Sequence, residues 1–215
     1  MKTYFELPNE QDEALPAEFA DDDVRYTPGL VRTFLAEYTQ PGQLVFDPFA
    51  GYGTTLRVAE EMGRRACGLE YDRRRCAYTQ THLRSPESLV CGDARQLSTY
   101  GFPRVDFSMT SPPYMTHDDS LDPLTAYSAE GRGYDAYLSD MQAIYRHLGL
   151  LMADDAHAVV EVANLKGAGN VTPLAWDLAR TLSEVLRFEG EVVIGWQPSY
   201  GYGYDHSYCL VFTRP

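Results

Sequence analysis

Lysine is almost missing from this 215-residue chain: sixteen of its eighteen basic residues are arginine, and they face 31 acids for a formal net charge of −13. A uniformly acidic surface repels a phosphate backbone, which argues against a broad basic track for a nucleic acid. Part of the excess is local, since residues 1 to 24 hold eight acids against Lys2. No apolar run approaches the ~18 residues that cross a bilayer. The acidic amino terminus also lacks the basic-then-apolar layout of a secretory signal, so a cytoplasmic location is expected. Cysteine is scarce, and Cys67, Cys76, Cys91 and Cys209 show no Cys-x-x-Cys spacing. All four are read as reduced packing residues, with no metal site. The length and the 44% hydrophobic content suit one ordinary domain.

What is present is organised around Leu44 to Thr55. Leu44, Val45 and Phe46 suit a buried strand, Asp47 closes it, and a Gly51-Tyr52-Gly53 turn opens onto Thr54, Thr55, Leu56 and Val58, which begin a helix. In an open α/β sheet such a junction lies at the carboxyl edge, where nucleotide-like ligands bind. The two glycines let the backbone pass close under a ligand. No third glycine follows at the dinucleotide spacing and no Gly-Lys-Ser/Thr closes the loop, so a phosphate is not expected here. A second string, Thr110-Ser111-Pro112-Pro113-Tyr114, follows a predicted strand at 105–109. Taken alone it reads as a rigid surface turn.

Together the two strings resemble those of the S-adenosylmethionine-dependent amino-methyltransferases, the DNA methylase N-4/N-6 family. Asp47 to Thr54 is similar to that family's Asp-Pro-Phe-x-Gly-x-Gly-Thr loop, and Ser111 to Tyr114 to its Asp/Asn/Ser-Pro-Pro-aromatic motif. The resemblance spans about residue 25 to the carboxyl terminus. It implies an α/β, three-layer Rossmann-like class I methyltransferase fold, with a mostly parallel seven-stranded sheet whose last strand is antiparallel. It also implies S-adenosyl-L-methionine as cofactor, contacted by Tyr26 and Thr27 ahead of the loop and by Asp47, Pro48, Phe49, Ala50, Gly51, Gly53, Thr54 and Thr55 within it. Glu70 and Tyr71 follow the next strand, and Asp93 and Ala94 the one after. Glu70 stands 23 residues beyond Asp47, close to the ~20-residue interval at which an acid reaches a ribose. Without the preceding loop it would read as a strand-end acid capping a helix.

Along the chain, Thr27 caps and Pro28 opens a helix with Leu30, Val31, Phe34, Leu35 and Tyr38 on one face. Further helices are predicted at 54–62, 73–83, 134–152 and 172–188, and strands at 65–70, 88–91, 157–162, 191–196 and 207–212. Residues 115–133 carry no periodicity and are a candidate lid or target-contact loop, with 164–170 a second edge loop. Residues 1–24 are read as an acidic arm, a solubilising tail being favoured over docking or charge mimicry. Residues 25–215 are read as one catalytic domain with no separate target-recognition domain. Arg64, Arg65, Arg73, Arg74, Arg75 and Arg84 are read as solvated helix surface rather than a nucleic-acid track. Tyr200, Tyr202, Tyr204 and His206 are candidate substrate contacts, offering aromatic faces to an unstacked base; an ordinary glycine-flanked hairpin explains the same string.

An exocyclic amino nitrogen is a poor nucleophile because its lone pair is delocalised into the ring. The resemblance implies that Ser111 and the Pro112 carbonyl accept its two N–H groups, that Pro113 keeps the turn rigid, and that Tyr114 stacks on the base. Transfer is then a direct in-line displacement governed by alignment. Serine at the first position resembles the enzymes acting on cytosine N4, whereas adenine-N6 and guanine-N2 enzymes carry Asp or Asn. Cytosine N4 in DNA is therefore the expected target. RNA, a smaller nucleobase substrate, and a catalytically silent cofactor-binding subunit are the alternatives. A homodimer or a separate subunit would supply recognition surface.

Overall fold

The computed structural model describes residues 2–167, 169–198 and 202–215, with Asp21 and Asp22 described by their backbone alone. In chain order the strands and helices are β1 (Tyr4–Pro8), α1 (Pro28–Tyr38), β2 (Leu44–Asp47), α2 (Thr54–Glu61), β3 (Arg65–Glu70), α3 (Arg73–Gln80), β4 (Leu89–Cys91) and β5 (Val105–Thr110). They continue as α4 (Tyr134–Leu151), β6 (Met152–Val162), β7 (Leu165–Lys166), β8 (Val171–Thr172), α5 (Leu174–Leu182), β9 (Arg187–Gln197) and β10 (His206–Thr213). Eight strands form one sheet in the order β1-β9-β10-β6-β5-β2-β3-β4, and β7 pairs with β8. Only β10 runs antiparallel to its neighbours in that sheet.

Parallel strands covered on both faces read as continuous apolar runs. In β2, Leu44 and Phe46 face the layer of α4 and α5, while Val45 faces the layer of α1 and α2. This is the expected three-layer Rossmann-like architecture. The sheet has an eighth strand because the amino-terminal arm joins its edge. Phe5 and Leu7 pack on the core, Tyr4 and Glu6 stay exposed, and β1 pairs in parallel with β9. The arm is therefore built into the domain rather than hanging from it. Beyond β1, a 3₁₀ turn (Ala17–Asp22) sets Phe19 against Tyr52 and Tyr78, burying it together with Leu15.

Three further expectations are corrected. Cys76 and Cys91 are joined by a disulfide, with Cα atoms 5.7 Å apart, while Cys67 and Cys209 are free and buried. Their pairing left no trace in spacing because one partner lies on α3 and the other on the strand it packs against. Helix α5 stops at Leu182 rather than near 188, because Arg187 and Phe188 already pair with β10. The basic cluster is not all solvated helix surface: Arg64 and Arg65 belong to the connection before β3 and to β3 itself, Arg64 donating to the carbonyls of Leu35, Thr39 and Met62, and Arg65 to that of Gly42. Arg74 and Arg75 lie over the rings of Phe19 and Tyr52. Among the described residues no helix is long and apolar enough to cross a membrane.

Candidate active site

The carboxyl ends of β2, β3, β4 and β5 bring their loops to a cavity of about 590 Å³, within the size range of small-molecule sites. On one side lies the loop after β2. Gly51 and Gly53 adopt positive φ of 52° and 80°, and a Cβ on Gly53 would run into the Thr79 methyl group. Glu70, at the end of β3, ties this loop down: Oε2 accepts from the Gly51 amide and Oε1 from the Asp72 amide, both at 2.7 Å. Burial raises its pKa, against the pull of those two amides. A carboxylate offers about four acceptor positions, so capacity remains for hydroxyls of a ligand in the cavity it lines.

Asp47 is buried at the end of β2 and its Oδ1 accepts from the Phe49 amide at 2.9 Å. Burial pushes its pKa up to about 6, although the Thr110 hydroxyl, the Phe49 amide and the Thr55 hydroxyl pull it down. No ion pair involves Asp47 or Glu70 among the described residues. The Arg75 guanidinium, which lines the same cavity, acts on Glu70 without pairing with it, whereas no cationic side chain among the described residues answers Asp47, and a buried acid left so suits a ligand that carries positive charge. Behind them the Tyr26 hydroxyl and Thr55 Oγ1 hydrogen-bond to each other, and Thr55 also donates to the Met109 carbonyl at 3.3 Å.

On the other side stands the turn after β5. The Tyr137 hydroxyl from α4 donates to the Pro113 carbonyl at 3.0 Å, and the Tyr127 hydroxyl to the Tyr114 carbonyl at 2.8 Å. The Tyr114 hydroxyl donates to Glu161 Oε2 at 3.1 Å and accepts from the Ala163 amide at 3.2 Å. Both ends of Tyr114 are thus anchored, and the Tyr202 ring lies 5.5 Å from its ring.

Of the residues singled out from sequence, Tyr26, Pro48, Phe49, Ala50, Gly51, Thr54, Glu70, Tyr71, Ala94, Ser111, Pro112, Pro113, Tyr114 and Tyr202 line this cavity. Thr27, Asp47, Gly53 and Thr55 lie behind its wall, with Thr27 capping α1 through the Leu30 amide. Asp93 lines a smaller neighbouring cavity, and its carboxylate is engaged by Arg95, which also pairs with Asp122. Tyr204 and His206 lie outside both cavities, and Tyr200 falls outside the described residues.

Sequence reasoning missed the contribution of the arm. Asn9, Gln11, Asp23, Val24 and Arg25 line the cavity, and the Gln11 amide donates to the Arg25 carbonyl at 3.0 Å. Arg25 binds Asp23 through Nε and one terminal nitrogen at 2.8 and 2.7 Å, which places a cation beside an anion at the wall. The density of acids hid this role. Tyr127 and Glu161 were missed as well. The loop of the first has no periodicity, and Glu161 signals itself only as an acid inside an apolar strand.

Among known proteins, a family model described as DNA methylase matches residues 23–81, from the end of the arm through α3. No curated protein matches the chain by sequence. Among solved structures, the chain is similar to TrmN from Thermus thermophilus at 19% identity and a TM-score of 0.63, covering 92% of this chain but 52% of that one. The chain therefore spans about half the length of TrmN. A TehB-like SAM-dependent methyltransferase from Corynebacterium glutamicum is similar at 16% identity and a TM-score of 0.59, with 92% and 93% covered. Fibrillarin from Aeropyrum pernix, solved with S-adenosyl-L-methionine natively bound, matches at 14% identity and a TM-score of 0.52, with 81% and 67% covered. The fold is that of the class I S-adenosylmethionine-dependent methyltransferases.

Proposed function

We propose that this cavity binds S-adenosylmethionine beside an amino-bearing base and that the chain methylates the exocyclic amino nitrogen, with cytosine N4 in DNA as the target. The observation that carries this reading is the meeting of the two strings: the Pro48–Thr54 loop with Glu70, and the Ser111–Tyr114 turn, line one cavity. The donor set fits the cofactor. Glu70 offers oxygens to ribose hydroxyls, the Asp23–Arg25 pair offers an anion and a cation to an α-ammonium and an α-carboxylate, and Asp47 behind the wall favours a cationic centre. When bound, the cofactor supplies a methyl group on positively charged sulfur. Ser111 and the Pro112 carbonyl accept the two N–H groups and favour a pyramidal nitrogen, while Tyr114, held at both ends, provides the stacking face.

The alternative is RNA or a smaller nucleobase substrate, and the smaller substrate is favoured by a different observation. Arg25, Arg32, Arg57, Arg74, Arg95, Arg104, Arg132, Arg180, Arg187 and Arg214 all pair with acids, and few cations remain to follow the phosphates of a duplex. The test is incubation with labelled cofactor and duplex DNA, single-stranded DNA, RNA or nucleosides, followed by nucleoside mass spectrometry. N4-methylcytosine from DNA, lost in Ser111→Ala, supports the first reading. Label in RNA or nucleosides alone replaces it with the second, and label on no acceptor contradicts both.

A further inference from the structure

Beside the mouth of the cavity, two residues beyond Tyr202, a row of aromatic side chains begins at Tyr204 and runs over the surface. Tyr202, 49% exposed, lies beside Tyr114. Its carbonyl accepts from the Lys166 amide at 3.1 Å, and Lys166 Nζ donates to the Gly203 carbonyl at 3.2 Å, so β7 fastens this turn. From there ring follows ring: Tyr204 lies 5.2 Å from His206, His206 lies 5.3 Å from Tyr208, and Tyr208 lies 4.7 Å from Trp176 on α5. The His206 Nε2 to Tyr208 hydroxyl hydrogen bond of 3.0 Å fixes the middle of the row. His206 and Tyr208 share one side of β10 because strand side chains alternate faces.

Two features indicate what the row meets. Trp176 is 45% exposed, whereas the chain's other tryptophan, Trp196, is 3% exposed and donates to Ser207. A half-exposed tryptophan at the end of a row of ring contacts marks a contact surface better than an isolated surface residue does. The cation at the row is Lys166, whose Nζ lies 4.0 Å from the centre of the Tyr204 ring, while most arginines are held by acids elsewhere. A surface rich in aromatic side chains suits unpaired bases, and its scarcity of free cations leaves stacking rather than phosphate contacts to carry the binding.

We infer that Tyr204, His206, Tyr208 and Trp176 form a stacking track for single-stranded DNA, which holds the bases flanking the one delivered to Tyr114. This rests on the proposed base methylation and names the form in which its substrate arrives. DNA is chosen over RNA because the matching family model is a DNA methylase. With Lys166 as the cation of the track, binding releases few counterions and depends weakly on salt.

The experiment titrates a short oligodeoxycytidylate into the full-length chain while following tryptophan fluorescence. Trp176 is expected to be quenched, with Trp196 silent and the change absent in Trp176→Phe. Trp176→Ala is expected to weaken oligonucleotide binding roughly 5- to 150-fold, the range for losing one base–aromatic stack. The melting temperature and the turnover of free deoxycytidine should stay unchanged. Equal oligonucleotide binding by wild type and Trp176→Ala overturns the track, as does stronger quenching by duplex DNA, by oligocytidylate RNA or by a basic protein. If the oligonucleotide quenches Trp176 but no acceptor is methylated, the track stands and the methylation reading falls. Methylation of oligonucleotide and nucleoside with equal efficiency by wild type and Trp176→Ala removes the track alone.

Discussion

Asp47 is an acid that the folded chain holds in the wrong medium. Burial raises its pKa to about 6 from the ordinary 3.8, so the native protein binds this proton more tightly than the unfolded chain does. The stability tied to that proton is complete below pH ~4 and is lost as pH rises through 6, about 3 kcal/mol for a shift of this size. A cationic ligand nearby favours the ionised form. Thermal melts from pH 4.5 to 7.5 should therefore show cofactor stabilising the protein more at the upper end, and Asp47→Asn should flatten that dependence. At the acceptor turn, Ser111→Ala should lower kcat by roughly 10²- to 10³-fold, the scale for removing one preorganised polar partner, with little change in cofactor affinity. Glu161→Gln keeps an acceptor for the Tyr114 hydroxyl and should retain activity that Glu161→Ala loses, as read by acceptor KM. Ser111 and Tyr114 were legible in the sequence because a rare short string carries them. Glu161 was not, because its meaning depends on which hydroxyl meets it across 47 positions of chain.

The cofactor loop and the arm are the elements on which the cavity depends. The loop was readable from its glycines: positive φ at Gly53 and its close approach to Thr79 are the reason a side chain is excluded there. Gly53→Ala should accordingly lower both the melting temperature and cofactor affinity, measured by calorimetry. The arm misled because its charge suggested solvation, whereas its few apolar residues decide its position. Phe5 and Leu7 seat β1 on the sheet edge, and Phe19 seats the 3₁₀ turn between Tyr52 and Tyr78. Several of its acids are answered locally, Asp12 by Arg32 and Glu13 by Arg57. Phe19→Ala should cost about 3 kcal/mol, the usual scale for emptying a buried aromatic site. It should also weaken cofactor binding, because the segment that lines the cavity would lose its anchor. Residues 115–133 are largely irregular, as their lack of periodicity suggests, and contacts such as that of Tyr127 with the Tyr114 carbonyl order them; the short β7–β8 pair likewise leaves no periodic trace.

Across the whole molecule, one sheet edge gathers around a shared cavity the two loops to which the proposal gives donor and acceptor roles, and the acidic surface would limit how a nucleic acid approaches it. The layered, mostly parallel sheet with its antiparallel last strand was legible through the resemblance, and alternating strand and helix patterns agree with it, while the eighth strand and the disulfide were not. The most direct test of the shared cavity is to measure cofactor binding and methyl transfer side by side for wild type, Glu70→Ala and Ser111→Ala. Glu70→Ala should lose binding and transfer together, and Ser111→Ala should bind cofactor as the wild type does yet lose transfer. Undiminished transfer by Ser111→Ala, or undiminished cofactor binding by Glu70→Ala, would contradict the division of the cavity into those two halves.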